Sequence, residues 1–136
     1  MKKLVLLCFL SFSFWSCSLD NDSVNFHNEF IPIESVNMPD SFTYGAVHNI
    51  TYTYFNRSTC HVFHDLYYVA EDSTRTVAVI NQVYEGSNCI TVDDNLIERS
   101  FDFKPMNYGP YVFKFWTGRN ENDEDEFLIY EILVEE

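Results

Sequence analysis

The chain has 136 residues, room for one domain of ordinary size, and carries 21 acidic residues against 8 lysines and arginines for a formal net charge of −13. So acidic a surface repels nucleic acid and anionic headgroups, which excludes DNA, RNA and peripheral electrostatic membrane binding. It does not signal disorder, because 46% of the residues are apolar and 13 Phe with 9 Tyr supply material for a core.

The first segment stands apart from that domain. Met1-Lys2-Lys3 is a short basic start, and Leu4 to Trp15 is an apolar run of 12 residues broken only by serines. This is the layout of a secretion leader. A bilayer-spanning helix needs about 20 residues, so the run is too short for a comfortable span. Ser16-Cys17 follows directly, and then the polar, acidic stretch Ser18-Leu19-Asp20-Asn21-Asp22.

This junction resembles the lipobox of bacterial lipoproteins, whose cysteine thiol receives a diacylglyceryl group and becomes the new N-terminus. Ser16 matches the small residue before the cysteine, while Phe14 and Trp15 depart from the family's Leu and small residue. The acids after Cys17 resemble the surface-export signal of Bacteroidota-type lipoproteins. The resemblance implies removal of residues 1–16, lipidation at Cys17, and a membrane partner held through the N-terminal lipid. It places the protein at the outer membrane or cell surface, on either the outer or the periplasmic face. Each buried CH₂ of an acyl chain contributes about 0.8 kcal/mol to such anchoring. Residues 17–28 then read as lipidated N-terminus and tether, and 29–136 as the folded domain. The mature chain keeps six lysines and arginines against 21 acids, a net −15.

With Cys8 lost in the leader and Cys17 lipidated, Cys60 and Cys89 remain as an even pair in an oxidising compartment, which predicts a disulfide. Closing that loop of 29 residues would stabilise the fold by roughly 3–4 kcal/mol on the chain-entropy argument.

From Glu29 onward, short alternating runs separated by turn residues predict strands throughout. Phe30 to Ile33 is a first strand, at a sheet edge because Pro32 has no N–H to donate. In Val47 to Phe55, Ile50, Tyr52 and Tyr54 share one face against Asn49, Thr51 and Thr53 on the other. Cys60 to Ala70 and Thr74 to Tyr84 form a hairpin through Glu71-Asp72-Ser73. Cys89 to Val92 is a short strand between loops. Ile97 to Phe103 turns Phe101 and Phe103 inward, Tyr111, Phe113 and Phe115 repeat that pattern, and Phe127 to Val134 ends the domain.

Strands at this spacing predict an all-β sandwich or barrel. Phe101-Asp102-Phe103, then Pro105, Gly109 and Tyr111-Val112-Phe113-Lys114-Phe115, resembles the penultimate strand pair of an immunoglobulin-like or fibronectin-like sandwich. The resemblance implies about seven to eight antiparallel strands, and a tyrosine corner in which the Tyr111 hydroxyl bonds to upstream backbone.

Three clusters carry potential chemistry. His61, His64 and Asp65 crowd one strand, but alternation sends His61 and His64 to opposite faces, leaving only His61 and Asp65 on one side. Asp123 and Asp125, in the acidic run from Glu121 to Glu126, have the oxygen-rich rhythm that calcium favours, without the Gly and distal Glu of an EF-hand loop. Trp116 lies on the face opposite Tyr111, Phe113 and Phe115, and with Tyr108 it offers an aromatic surface for a glycan or an envelope protein. No nucleophile elbow, zinc-protease or phosphate-loop motif is present.

The expected function is therefore a non-enzymatic envelope lipoprotein serving as a binding or assembly module, with no cofactor. Two other readings compete with it: a small hydrolase using carboxylates or His61, His64 and Asp65, and a calcium-stabilised structural module. A contiguous exposed aromatic patch would favour binding, whereas a concave pocket around a buried, shifted His or Asp would favour catalysis.

Overall fold

A computed structural model of the chain describes residues 24–136. The leader, Cys17 and the tether up to residue 23 lie outside the described residues. All elements assigned among the described residues are strands: β1 (Phe26–Ile31), β2 (Ile33–Asn37), β3 (Ser41–Thr43), β4 (His48–Phe55), β5 (His61–Glu71), β6 (Thr74–Tyr84), β7 (Leu96–Phe103), β8 (Tyr111–Arg119) and β9 (Asp125–Glu135). They form a six-stranded sheet and a three-stranded sheet, β2-β4-β7, packed as a sandwich.

The large sheet is built around β6. One edge of β6 pairs along its length with β5. The other edge is shared end to end, with β1 on residues 79–84 and β8 on residues 74–77. Beyond β8 come β9 and then β3.

Several expectations are corrected here. Pairing starts at Phe26, opposite Tyr84, so three residues assigned to the tether belong to the domain. The expected first strand is two strands, because at Pro32 the chain leaves the large sheet and enters the small one. A proline cannot donate to a ladder, and here it marks the corner. Ile31 and Ile33, on either side of it, are both buried between the sheets. Residues 89–92 form no strand, and only a single bridge joins Thr91 to Ser58. Two pairings, β6 with β8 and β3 with β9, are parallel, where an all-antiparallel sandwich was expected.

The core follows the alternation read from the sequence. The small sheet contributes Ile50, Tyr52, Tyr54 and Phe103, and the large sheet contributes Val77, Val79, Tyr111, Phe113 and Phe115. Phe42, from the short β3, fills one end of this interior and is fully buried. The Phe103 ring meets those of Phe42, Tyr111 and Phe113 at centroid distances of 5.0 Å each, and it stands edge-on to the latter two. Edge-to-face pairs add about 0.5–1.5 kcal/mol beyond the area they bury.

The Tyr111 hydroxyl accepts the backbone N–H groups of Met106 and Asn107, both at 3.2 Å. This is the upstream backbone contact expected of Tyr111. Cys60 and Cys89 form a disulfide, with Cα atoms 5.4 Å apart.

Candidate functional site

On a regular strand, residues of equal parity share a face, and a bulge breaks that rule by inserting one extra residue. The large sheet has two bulges that matter. In β5 the register skips His64, so Phe63 faces Asn81 while Asp65 faces Ile80. Leu66 then packs inward, and Tyr67 reaches the outer face. In β8 the register skips Thr117, so Trp116 pairs with Phe127 and Arg119 with Asp125. Gly118 sits within this bulge at φ +121°, backbone that L side chains rarely adopt.

With Tyr67 turned outward by the β5 bulge and Arg119 by the β8 bulge, Phe30 from β1, Trp116 from β8, and Asp125 and Phe127 from β9 join them around one groove of about 220 Å³ on the outer face of the large sheet. Its floor includes the small side chains of Ala78 and Thr76. The Phe30 ring stands edge-on to Tyr67 at 5.5 Å and tilted against Trp116 at 5.9 Å. Phe30 and Tyr67 remain 47% and 41% exposed, so apolar rings face solvent without cover. Lys114 lies over the Phe127 ring, 4.7 Å from its centroid.

At one end of the groove the rings meet a polar cluster. The Trp116 indole Nε1–H donates to Asp125 Oδ1 at 3.0 Å, and Arg119 Nε–H donates to the same oxygen at 3.0 Å. Arg119 Nη1 also donates to Asp123 Oδ1 at 3.1 Å. The indole donor first, and the guanidinium with it, hold the Asp125 carboxyl below the usual carboxylate range. The same carboxylates raise the pKa of Arg119.

These contacts revise the calcium reading of Asp123 and Asp125. Their Oδ1 oxygens are turned to one guanidinium, which supplies the neutralising charge that a cation would bring. Among the described residues, no group of three or more His, Cys, Asp or Glu side chains is placed to hold a metal ion. The loop is ordered by its own bonds, as Asn120 Oδ1 accepts the N–H groups of Asn122 and Glu124.

Tyr108 and Trp116 are not brought together. Tyr108 stacks on Tyr44 with ring centroids 4.4 Å apart and planes 8° from parallel. It lines a separate groove with Asp72, Ser73 and Asn107.

The histidine cluster is likewise divided. Because of the bulge, Asp65 faces outward with Ile80 and does not share a face with His61, and its Oδ1 accepts the N–H of Leu66. His64 is the residue that the register skips, and it is exposed. His61 instead joins residues that the sequence reading did not connect to it. Its Nδ1 lies 2.7 Å from Ser58 Oγ and its Nε2 lies 3.3 Å from Glu29 Oε2. Arg57 Nη1 donates to the other Glu29 oxygen at 2.8 Å. Nearby, Asn56 donates to the His61 carbonyl and accepts from Asn81. Asn81 is fully buried, and its Oδ1 has no hydrogen-bond partner. This network ties the 56–60 loop across β1, β5 and β6, beside the disulfide. Neither described groove is lined by Ser58 or His61.

Phe30, Tyr67, Arg119 and Phe127 were missed as site residues. Composition offered no signal for them, since each sits in an ordinary strand and is aimed outward by a bulge or by its neighbours' register. Compared with family models, curated proteins and solved structures, the chain matches none.

Proposed function

We propose that this chain is a non-enzymatic lipoprotein of the cell envelope, anchored through Cys17, that binds its partner on the outer face of the large sheet. The observation that carries this reading is the joining of Phe30, Tyr67, Trp116 and Phe127 into one solvent-facing aromatic groove. Scattered exposed aromatics need no explanation, but a contiguous group left uncovered on a sandwich face is the form that binding surfaces take. Aromatic rings also bring large contact area at low entropic cost. The basic start, apolar run and Ser16-Cys17 junction support export and anchoring.

The Ser58–His61–Glu29 chain is the strongest observation in favour of a hydrolase, since it links a hydroxyl, an imidazole and a carboxylate in sequence. It has no described groove above it to seat a substrate, so the binding reading is preferred.

Retention of the protein carrying Cys17→Ala, which removes the lipid, on isolated cell-envelope fractions tests the binding surface. The Cys17→Ala protein is expected to be retained, and the same protein with Tyr67→Ala and Trp116→Ala and an unchanged fold is expected to wash through; equal retention of the two would defeat the reading. For the anchor, metabolic labelling with a palmitate analogue should mark wild type and spare Cys17→Ala.

A further inference from the structure

Resting on the binding reading above, the geometry points to an uncharged saccharide as the ligand of the outer-face groove, stacked on its rings and held by its hydroxyls at the Arg119–Asp125 pair.

The polar end of the groove provides the first argument. Asp125 Oδ1 is taken by both the indole N–H and Arg119 Nε, and among the described residues Oδ2 of the same carboxylate has no partner. Arg119 uses Nε and Nη1 on the two aspartates, and Nη2 has no partner among the described residues. A free acceptor and a free donor therefore belong to two directly bonded residues that both line the groove. Two neighbouring hydroxyls of a sugar ring need such a pair, because one can donate to the carboxylate while the other accepts from the guanidinium. Bonds of this kind to ionised partners are roughly twice as strong as neutral ones.

The position of that pair relative to the rings provides the second. The indole N–H lies at the edge of the Trp116 ring and in its plane, so the bond to Asp125 places the carboxylate beside the ring and not above it. A pyranose presents C–H groups on its face and hydroxyls around its rim. Set over the negative face of an aromatic ring, it puts those hydroxyls where the carboxylate and guanidinium wait. Specificity from a few well-placed polar groups within an otherwise apolar wall is the usual composition of a small-ligand site.

Charge narrows the class further. Arg119 is matched by two carboxylates, and the whole chain carries −13. At the polar end, where Arg119 alone offsets the two carboxylates, sulfated or uronic sugars and anionic lipid headgroups would meet net negative charge, while Lys114 lies away from that end over Phe127. Peptide docking is less well matched, since the exposed aliphatic residues of this face, Val62 on β5 and Ile129 and Leu133 on β9, lie outside the groove.

The test uses the full-length protein carrying Trp15→Phe, which leaves Trp116 as the sole tryptophan. Emission is titrated with short neutral hexose and N-acetylhexosamine oligosaccharides, with polygalacturonate as the anionic control. At least one neutral series should shift the Trp116 emission while polygalacturonate does not. Asp125→Asn and, independently, Tyr67→Ala should each weaken binding by about tenfold or more, as loss of a charged hydrogen bond requires for the first. Thermal midpoints check that both variants fold. Two failures are distinguishable. If only an envelope protein fraction shifts the emission, and the shift survives periodate cleavage of vicinal diols, the saccharide is refuted and the binding face stands. If no probe shifts the emission, or the shift is indifferent to Tyr67→Ala, both fall.

Discussion

Trp116 and Arg119 stand three positions apart on one strand, yet both reach the outer face of the large sheet, because the register skips Thr117 between them. Regular alternation would have placed them on opposite faces. The bulge rests on Gly118 at φ +121°, where an added Cβ would meet Pro32 Cγ at an ordinary 3.7 Å. Space is available, so strain of the backbone decides the outcome. Gly118→Ala should lower stability by about 1–3 kcal/mol in urea denaturation. It should also perturb the Trp116 emission, because the Arg119–Asp125 pairing depends on the same bulge. A variant as stable as wild type would show that the bulge carries no such constraint.

Acid should loosen the polar end of the groove only below the ordinary carboxylate range. The carboxyl of Asp125 is held below its ordinary range, so its bonds to Trp116 and Arg119 contribute fully above the ordinary carboxylate pKa of about 3.9 and are lost as pH falls through the lower folded value. Emission of Trp116 should therefore be flat from neutral pH to about pH 4 and change only below it. Asp125→Asn should remove that acid transition. A transition near neutral pH would contradict the assignment.

At the alkaline end the interior governs. Burial, and then the neighbouring Tyr54, push the Tyr52 hydroxyl up to about 12. Its folded pKa exceeds the unfolded value, so its contribution is intact below pH 10 and is lost as pH rises from about 10 to 12. A shift of that size corresponds to roughly 2–3 kcal/mol. Chemical denaturation across this range should show a steeper loss in wild type than in Tyr52→Phe; parallel curves would refute the buried-hydroxyl account.

Reduction should cost the fold much of its margin. Cys60 and Cys89 close a loop of 29 residues between the 56–60 and 86–95 segments. Breaking that link should remove roughly 3–4 kcal/mol and lower the melting temperature by roughly 10–20 °C. Intact mass before and after reductant should differ by two hydrogens, and two free thiols in the untreated protein would end the claim.

Calcium should leave the melting temperature unchanged, because Arg119 already bonds the carboxylates a cation would need. A rise on adding calcium that disappears in an Asp123→Ala, Asp125→Ala variant would restore the structural-calcium reading.

What the sequence by itself determined is the inventory of the interior. Ile50, Tyr52 and Tyr54, or Tyr111, Phe113 and Phe115, alternate so cleanly that only one face could be buried, and all six are. The Cys60–Cys89 pair was expected from counting cysteines, and the Tyr111 hydroxyl's backbone contact from the resemblance to immunoglobulin-like sandwiches. Only the tertiary structure decided which strands pair, that two pairings run parallel, and that the chain changes sheets at Pro32. It alone decided the groove. A bulge is a difference between two strands' registers, and no single strand records it. So Tyr67 and Arg119 were unreadable as partners, Asp65 was assigned to the wrong face, and Asp125 suggested a metal until the indole and guanidinium beside it came into view.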